Sequence, residues 1–359
     1  MRNGQIAGLS LAAVVVSVGI IGFGCANQEQ AKAPARGLTP DSPQLKVFAP
    51  LPAVMESASN PITEEKVKLG RMLYYEPRLS KAQDLSCNTC HQLDNFGVDN
   101  EPTSPGHKGQ RGARNSPTVY NAAGHFVQFW DGRAADVEEQ AVGPVMNPVE
   151  MAMPSEDVVI AVLRSMPEYV ELFKAAFPEG GDPVTMENFG KAAGAFERKL
   201  VTPSRWDKFL QGDAGALTDA EIAGLQEFLG ANCQMCHMGA YLGGNLYQKA
   251  GLVKEWPNTS DTGRHQVTGN ESDKMMFKVP SLRLVAKTAP YFHDGSVASL
   301  GEAVAMMAEY ELGQQLTEQQ VSSILTFLEA LTGEIPADYI AKPELPSSTA
   351  KTPKPDLSD

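Results

Sequence analysis

The chain is poor in cysteine, in basic residues and in strand-like patterns. It has five cysteines in 359 residues, and 30 lysines and arginines against 43 aspartates and glutamates, for a net charge of −13. This surplus of negative charge argues against a nucleic-acid partner, because the phosphate backbone attracts positive surfaces. Alternation of apolar and polar residues is scarce, whereas helical periodicity recurs along the chain. The absences favour a mainly α-helical protein that does not bind nucleic acid.

Four of the five cysteines occur in two copies of Cys-x-x-Cys-His. The copies are Cys87–Cys90–His91 and Cys233–Cys236–His237. In c-type haem attachment, two thiols about one helical turn apart form thioethers to one porphyrin, and the following histidine ligates its iron. A thioredoxin-like dithiol does not need the histidine, and a zinc site needs its four ligands closer together than the two motifs are. The sequence therefore predicts a redox protein with two covalently bound c-type haems.

The fifth cysteine, Cys25, has no partner left for a disulfide. It follows an apolar run over residues 6–23, with Arg2 as the basic residue ahead of it, as in an export signal. The position resembles a bacterial lipoprotein site at which Cys25 becomes the lipidated first residue. The alternatives are ordinary cleavage near Ala26 and an uncleaved anchor, for which the run is near the lower length limit. We expect a periplasmic protein, anchored to the membrane if Cys25 is lipidated.

Composition and periodicity divide the chain into five predicted segments. They are an export or lipoprotein signal at 1–25, a flexible tether at 26–45, an N-terminal haem domain at 46–203, a C-terminal haem domain at 204–341 and a disordered tail at 342–359. Helices are predicted over 60–75, 155–177 and 186–200, and after the capping boxes that begin at Thr218, Ser299 and Thr317. The predicted fold is two c-type-cytochrome-like helical haem domains with long connecting loops.

Each haem motif supplies one iron ligand, so a second axial ligand has to come from elsewhere. The candidates are the methionines and the remaining histidines, which are His107, His125, His265 and His293. His107 lies in a loop with three glycines, from which a ligand can approach an iron and leave it again. From the residues alone, a solvent-exposed loop histidine is the alternative interpretation.

A set of short motifs follows a fixed order over residues 60–335. In chain order they are Leu69–Leu73, Pro77–Ser80, the first haem motif, Gly106-His107, Arg114–Thr118, Gln128–Arg133, Glu139–Ala141, Gly143-Pro144, Val149–Met151, the second haem motif, Ala289–Ser296 and Glu302–Val304 ahead of Met307. Each motif is weak by itself, but the ordered set is specific. In this order the chain resembles the bacterial di-haem cytochrome c peroxidases, a family that includes the MauG-type oxidases.

The resemblance implies different roles for the two haems. The N-terminal, peroxidatic haem would be held by His91, with His107 as a displaceable distal ligand, and the C-terminal haem by His237 and Met307. The family places this methionine before an alanine, which favours Met307 over Met306. Because a thioether ligand raises the potential above that of bis-histidine ligation, electrons are expected to enter at the C-terminal haem. Its reduction is implied to release the His107 loop, although some relatives rest in an open form.

The resemblance also assigns residues to peroxide chemistry and to electron transfer. Glu150 is implied to be the acid–base residue, and Gln140 its hydrogen-bonding companion. Apolar neighbours would raise the pKa of Glu150 into a useful range, whereas an exposed loop glutamate is the alternative. Trp130 is implied to lie on the electron path between the haems, and its alternative role is to fill the core.

Two further implications concern a metal ion and partner proteins. Relatives bind one calcium ion, and the matching positions here are Asn115 through its side chain and Thr288 and Pro290 through backbone carbonyls. Calcium accepts such neutral oxygens. Homodimers are typical of the relatives. The acidic chain suits a small basic electron carrier, because opposite charges raise encounter rates.

Three functions are compatible with these features. The leading interpretation is a peroxidase that reduces hydrogen peroxide to water with electrons from a small periplasmic cytochrome c or cupredoxin. A non-catalytic electron-transfer cytochrome would keep both irons six-coordinate and would not need Gln140 and Glu150. A MauG-type protein-modifying oxidase would have a tyrosine in place of Met307 and would lack the His107 loop.

Overall fold

The computed structural model describes residues 37–358, and it is mainly α-helical, which confirms the expected fold class. The helices are α1 (Glu64–Tyr74), α2 (Cys87–Cys90), α3 (Val137–Met146), α4 (Glu156–Arg164), α5 (Pro167–Ala176), α6 (Met186–Glu197), α7 (Arg205–Leu210), α8 (Asp219–Gly230), α9 (His265–Thr268), α10 (Leu300–Leu312), α11 (Glu318–Glu329) and α12 (Ala337–Ile340). Strands β1 (Tyr247–Lys249) and β2 (Met276–Lys278) pair antiparallel, with Tyr247 opposite Lys278. Cys25 and the predicted signal lie outside the described residues.

Side-chain caps begin the helices α8, α10 and α11 where the sequence predicts them. The hydroxyls of Thr218, Ser299 and Thr317 each accept the backbone N–H three residues further on. At Thr218 and Thr317 the third residue's side chain also accepts the N-cap N–H, which completes the capping box. These reciprocal bonds satisfy N–H groups that have no partner inside the helix.

The predicted helix over 155–177 is two helices in the structure. Helix α4 ends at Arg164, and α5 begins at Pro167, the first residue of its first turn. Proline is favoured there because its fixed φ suits the helix and its missing N–H would have no partner anyway. The predicted helices over 60–75 and 186–200 are α1 and α6, each shorter by a few residues.

Two similar helix crossings organise the two halves of the described chain. Helix α1 packs on α6, and α8 packs on α11. A glycine allows close contact in each pair: a Cβ added at Gly70 would lie 1.9 Å from the carbonyl oxygen of Ala192, and one at Gly224 would lie 2.0 Å from that of Ser323. In each half the first helix of the pair precedes a Cys-x-x-Cys-His motif, so the crossing supports one haem-motif segment per half.

Each half has a hydrophobic cluster around its helix pair. The first cluster contains buried residues of α1, α3, α4, α5 and α6, including Phe173 and Phe189. The second contains Trp206, Phe228 and Phe327, together with residues ahead of α1. Among the latter, Leu38 and Leu45 fall in the predicted 26–45 tether but are buried in the C-terminal cluster. Apolar burial therefore orders the described part of that segment.

The structure also contradicts the prediction that the tail, 342–359, is disordered. Its residues up to 358 run along the N-terminal half, and Leu345 packs against apolar residues there. The hydrogen bonds join Arg78 to Pro346 and Ser348, Gln83 to Pro353, Ser165 to Thr349 and Thr352, and Lys81 to Asp356. We call residues 346–358 the strap. Its prolines and polar side chains suggested disorder, but its backbone carbonyls and hydroxyls find partners on the folded surface.

Contacts cross the predicted domain boundary near Thr202-Pro203-Ser204. The N–H of Leu51 donates to the carboxylate of Asp207 at 2.7 Å. A Cβ added at Gly333 would lie 2.0 Å from the carbonyl oxygen of Thr202. All described residues belong to one compact unit. None of the helices within residues 37–358 is long and apolar enough to cross a membrane.

Candidate di-haem redox site

The first Cys-x-x-Cys-His motif forms the short helix α2. Cys87 and Cys90 are its first and last residues, and the N–H of His91 donates to the carbonyl of Cys87 at 3.0 Å. The Nδ1 atom of His91 lies 3.0 Å from the carbonyl oxygen of Pro117. Because a carbonyl only accepts, Nδ1 donates, which leaves the Nε2 lone pair for a metal.

The second motif repeats this arrangement in the C-terminal half. Cys233 begins a 3₁₀ turn, and the Nδ1 atom of His237 lies 3.1 Å from the carbonyl oxygen of Leu242. Burial lowers the pKa of both His91 and His237, which favours neutral imidazoles. A neutral ring with a fixed tautomer is the form that ligates iron. Both motifs therefore fit a proximal haem ligand.

The cysteines of the two motifs are partly buried. Burial raises the pKa of Cys87 and of Cys233 to about 12 and that of Cys90 to about 11. A redox dithiol or a zinc ligand needs a lowered thiol pKa. Within residues 37–358, no group of three or more His, Cys, Asp or Glu side chains could hold a metal ion. The missing ligand group disfavours a zinc site, and the direction of the pKa shifts does not favour a reactive dithiol.

A largely apolar cavity adjoins the second motif. Cys233, Cys236 and His237 lie on its wall, as does Met307 of α10, whereas the neighbouring Met306 does not. Much of the remaining lining is aromatic and aliphatic, including Phe228. Such a lining fits a porphyrin ring. The cavity brings together the thiols, the proximal histidine and the methionine that the sequence predicts for one haem.

His107 is buried, contrary to the alternative of a solvent-exposed loop histidine. Its side chain is 5% exposed, and within the described chain neither ring nitrogen has a hydrogen-bond partner. Leaving a buried polar group unpaired costs about 1–3 kcal/mol, so an imidazole with two unpaired nitrogens requires an explanation. An iron ligated by the lone-pair nitrogen would account for one of the two.

The loop that carries His107 is docked on the loop that carries Glu150. The N–H of His107 donates to the carbonyl of Glu150 at 2.7 Å. A Cβ added at Gly106 would lie 1.9 Å from the carbonyl oxygen of Val149, so only glycine fits at this contact. The structure therefore joins the expected displaceable ligand directly to the backbone of the expected acid–base residue.

The Glu150 carboxylate is partly buried and has one side-chain hydrogen bond. Asn147 donates to its Oε1 at 3.0 Å. Burial raises its pKa, and the charge of Arg133 and the Asn147 bond oppose that shift only in part. Its charge in turn raises the pKa of Cys90, which indicates that Glu150 lies near the first haem motif. A carboxylate with a raised pKa is a stronger base than an ordinary glutamate, which suits a proton acceptor.

The structure adds a hydrogen-bonding residue that the sequence analysis missed, Asn147. Gln140 lies in α3, and within residues 37–358 its side chain forms no hydrogen bond with Glu150. Asn147, directly after α3, donates a hydrogen bond to Glu150. Its position as the C-cap of α3, three residues before Glu150, is the signal that could have identified it.

Trp130 lies beside the cavity of the second motif. Its ring is part of the cavity wall, and its centroid is 6.4 Å from that of His293 in an edge-to-face arrangement. The indole N–H donates to the carbonyl of Asn115 at 3.0 Å. The ring is thus oriented by the backbone of a residue from the predicted calcium site.

Hydrogen bonds of intervening residues connect the segments that carry the predicted calcium ligands. The N–H of Asn115 donates to the carbonyl of His293 at 2.8 Å, and its side-chain amide donates to the carbonyl of Glu101 at 3.0 Å. The neighbouring Asn100 donates to the carbonyl of Ala289, between Thr288 and Pro290, at 2.7 Å. The side-chain oxygen of Asn115 and backbone carbonyls fit calcium, which prefers oxygen ligands.

The similarity of the chain to known proteins decides its family. A family model described as di-haem cytochrome c peroxidase matches residues 64–215. The chain is 46% identical over 316 residues to cytochrome c551 peroxidase of Pseudomonas aeruginosa, and the match covers 86% of this chain and 90% of that protein. The chain belongs to the di-haem cytochrome c peroxidase family. This confirms the resemblance in the motifs, the enzyme class and the presence of two haems.

Two more distant relatives extend the comparison. The chain is 31% identical over 306 residues to methylamine utilization protein MauG of Methylorubrum extorquens, which covers 82% of this chain and 85% of that protein. It also matches the crystal structure of a MauG-like protein associated with microbial copper homeostasis. There the TM-score is 0.72 at 29% identity, over 84% of this chain and 98% of the other.

Proposed function

We propose that this di-haem peroxidase reduces hydrogen peroxide to water with electrons from a small periplasmic cytochrome c or cupredoxin. The two haems, when bound, supply the redox chemistry, with electrons entering at the C-terminal haem and peroxide reacting at the N-terminal one. The observation that carries the proposal is the docking of two loops beside the first haem motif. One loop holds a buried imidazole without a partner, His107, and the other holds Glu150 with its raised pKa.

The ligand assignments of the proposal are His91 and His107 for the N-terminal haem and His237 and Met307 for the C-terminal haem. Covalent attachment is proposed through the four cysteines of the two motifs. The hydrogen bonds from Nδ1 of His91 and of His237 to backbone carbonyls support these two residues as proximal ligands. The position of Met307 on the same cavity wall as His237 supports the C-terminal pair.

In the proposed reaction Glu150 moves a proton from the inner to the outer peroxide oxygen. The carboxylate accepts the first proton, and the resulting carboxylic acid donates it to the departing oxygen. Asn147 holds the carboxyl through its Oε1. Gln140 is the second proposed hydrogen-bonding residue. For peroxide to reach this site, the His107 loop has to leave it, which breaks the bond from the His107 N–H to the Glu150 carbonyl.

Trp130 and the calcium residues are proposed to organise the space between the haems. Trp130, on the wall of the C-terminal cavity, is the proposed intermediary for electrons. The backbone contacts of Asn115 with Trp130 and His293 would transmit the geometry of a calcium site to that ring. The proposed calcium ligands are the Asn115 side chain and the carbonyls of Thr288 and Pro290. Calcium removal would then disturb electron transfer rather than haem attachment.

Further parts of the proposal concern where the enzyme works. We propose a periplasmic location, with an export signal that ends at a lipidated Cys25, and a homodimer. The net charge of −13 supports a small basic electron donor. Mass spectrometry of the mature N-terminus tests the lipidation, because cleavage near Ala26 would leave no lipid.

Replacing Glu150 by Gln tests the peroxidase proposal. The amide keeps the size and the hydrogen bond to Asn147 but cannot take up a proton, so turnover with peroxide should fall at least about 10²-fold. The absorption spectra of both haems should stay unchanged. Glu168→Gln, at an exposed carboxylate on α5, is the matched control and should keep full activity. Undiminished peroxide turnover in Glu150→Gln would contradict the assigned role.

A MauG-type protein-modifying oxidase is the second candidate, supported by the 31% identity to MauG. The Met307 side chain on the cavity wall and the buried His107 favour the peroxidase. Steady-state oxidation of a reduced small cytochrome c by peroxide distinguishes the two functions. A rate that requires only peroxide and the cytochrome supports the peroxidase, and the absence of such a rate supports the oxidase.

A further inference from the structure

A buried lysine faces the cavity of the second motif without an acidic partner. Lys278, the last residue of β2, is 7% exposed and lies on the cavity wall. Within residues 37–358 no carboxylate lies within 4.0 Å of its Nζ, in contrast to other buried cations such as Arg283, which pairs with Asp207 at 2.6 Å. Burial lowers the pKa of Lys278 to about 8. A buried ammonium is costly unless an anion compensates it.

The only side chain bonded to this ammonium among the described residues is itself a neutral imidazole. The Nζ atom of Lys278 lies 3.2 Å from Nδ1 of His125. An ammonium can only donate, so Nδ1 accepts and the imidazole proton resides on Nε2. That Nε2 is buried and has no hydrogen-bond partner in the described chain. The pair therefore presents unused donors and no acceptor.

The surrounding residues hold His125 in place. Its ring packs edge-on against Tyr241, with the ring centroids 5.5 Å apart. A Cβ added at Gly244 would lie 2.3 Å from its Cδ2 atom, so the backbone closes directly over the ring. This packing limits the imidazole to a narrow range of positions. His125 is thus suited to orient the Lys278 ammonium.

The acidic side chain on the cavity wall is already engaged elsewhere. The Glu311 carboxylate accepts the N–H of Gly251 at 2.7 Å and the N–H of Leu252 at 3.3 Å. It is therefore not the missing partner of Lys278. The missing acceptor has to come from what the cavity binds, and a haem carries two propionate carboxylates.

We propose that Lys278 binds a propionate of the C-terminal haem by an ion pair and that His125 positions its ammonium for this contact. The inference rests on the proposed occupancy of this cavity by haem, but not on peroxide turnover. The N–H of Lys278 donates to the carbonyl of Trp130 at 2.8 Å. Lys278 would thereby connect the propionate to the backbone of Trp130, the residue proposed to carry electrons between the haems.

The ion pair has a defined effect on redox equilibrium. A positive charge near the haem favours the reduced iron, which carries one positive charge less than the oxidised iron. Lys278 therefore raises the reduction potential of the C-terminal haem and leaves that of the N-terminal haem nearly unchanged. This keeps the electron-accepting haem easy to reduce.

Spectroelectrochemical titration of the holoprotein tests the proposal. In Lys278→Gln the potential of the C-terminal haem should fall while that of the N-terminal haem stays constant, and Lys278→Arg should restore most of the loss. Lys249→Gln is the matched control, because Lys249 lies on the same cavity wall but is exposed. An unchanged potential in Lys278→Gln, or an equal fall in Lys249→Gln, would overturn the proposal.

A second measurement keeps the test decisive if Lys278→Gln does not fold. Resonance Raman spectra of wild type and Lys278→Arg should differ in the propionate bending band of the C-terminal haem, because the two cations hydrogen-bond a carboxylate differently. An identical band in both proteins would contradict a direct contact. Neither measurement uses peroxide, so failure of the peroxidase proposal would leave the outcome unaffected.

Discussion

At the scale of single residues, the His107 imidazole is buried without a hydrogen-bond partner among residues 37–358. The bond from the backbone N–H of His107 to the Glu150 carbonyl fixes the backbone but leaves the ring unsatisfied. Ligation of the N-terminal iron would satisfy one of the two ring nitrogens. Loss of this ligation would favour release of the loop.

Replacing His107 by Gly should give an enzyme that reacts with peroxide without prior reduction. The variant removes the proposed distal ligand, so the oxidised N-terminal haem should change from low-spin to high-spin. Electron paramagnetic resonance of the oxidised protein and a peroxide assay without pre-reduction measure this. Lys108→Gly changes the flexibility of the same loop but keeps the ligand, so it should stay low-spin. A variant at position 107 that is inert until reduced would contradict the gating role.

The residues whose role follows from local spacing could be predicted from the sequence. The cysteines and proximal histidines belong to a contiguous motif, so their chemistry can be inferred without a fold. Glu150 and Met307 needed the resemblance to a family, because nothing in their neighbours specifies a role. Lys278 could not be predicted, since its significance depends on the absence of an acidic partner in three dimensions. Sequence patterns do not report such an absence.

At the scale of elements, the contact between the His107 loop and the Glu150 loop depends on a glycine. Gly106→Ala would place a Cβ 1.9 Å from the carbonyl oxygen of Val149 and should force the loops apart. We expect a partly high-spin N-terminal haem and activity without full activation. Gly112→Ala is the control, because a Cβ there meets no atom within 4 Å. Equal spectra for the two variants would show that loop docking does not hold His107.

The strap is a second element whose removal has a measurable effect. A chain that stops after Leu345 loses the hydrogen bonds to Arg78, Gln83 and Ser165. Each net bond contributes about 0.5–1.5 kcal/mol, and ordering the strap offsets part of the sum. We expect the free energy of unfolding to fall by about 1–3 kcal/mol in a denaturant titration. Removing only 357–359, where Leu357 is 72% exposed, should lower the free energy of unfolding by less than half of that amount.

The sequence predicted where most helices occur, but it did not predict where all of them end. Capping hydroxyls located the starts of α8, α10 and α11, because an N-cap is a local interaction. The division between α4 and α5 was missed because the apolar periodicity continues through Pro167. The strap was missed for a different reason. Its composition is that of a disordered segment, and only the partners on the folded surface order it.

At the scale of the whole molecule, one buried ion pair links distant parts of the chain. The Asp207 carboxylate accepts bonds from both terminal nitrogens of Arg283 at 2.6 and 2.8 Å, and from the N–H groups of Leu51 and Ser204 at 2.7 Å. These interactions lower the pKa of Asp207 although burial opposes the shift. The pair therefore fixes the N-terminal segment, the start of α7 and the loop before α10 to one another.

Asp207→Asn should destabilise the protein strongly. It leaves the fully buried Arg283 without a counter-charge, which costs about 3–5 kcal/mol. Denaturant titration at neutral pH measures this loss, and Asp338→Asn, at an exposed aspartate, is the control. Because the folded-state pKa of Asp207 is lowered, its contribution is present above the unfolded pKa and is lost as the pH falls through the folded one. The difference in the free energy of unfolding between wild type and Asp207→Asn should therefore become smaller at acidic pH.

The strap also determines the order in which the protein can be assembled. Residues 346–358 are synthesised after every residue that they bind, including Arg78, to which Ser348 is bonded across 270 positions. An emerging polypeptide can thus collapse its first half early, but that half reaches its final packing only when this late segment has been made. Shortened translation products would retain both haem-attachment motifs and yet lack the hydrogen bonds of the strap to Arg78, Gln83 and Ser165.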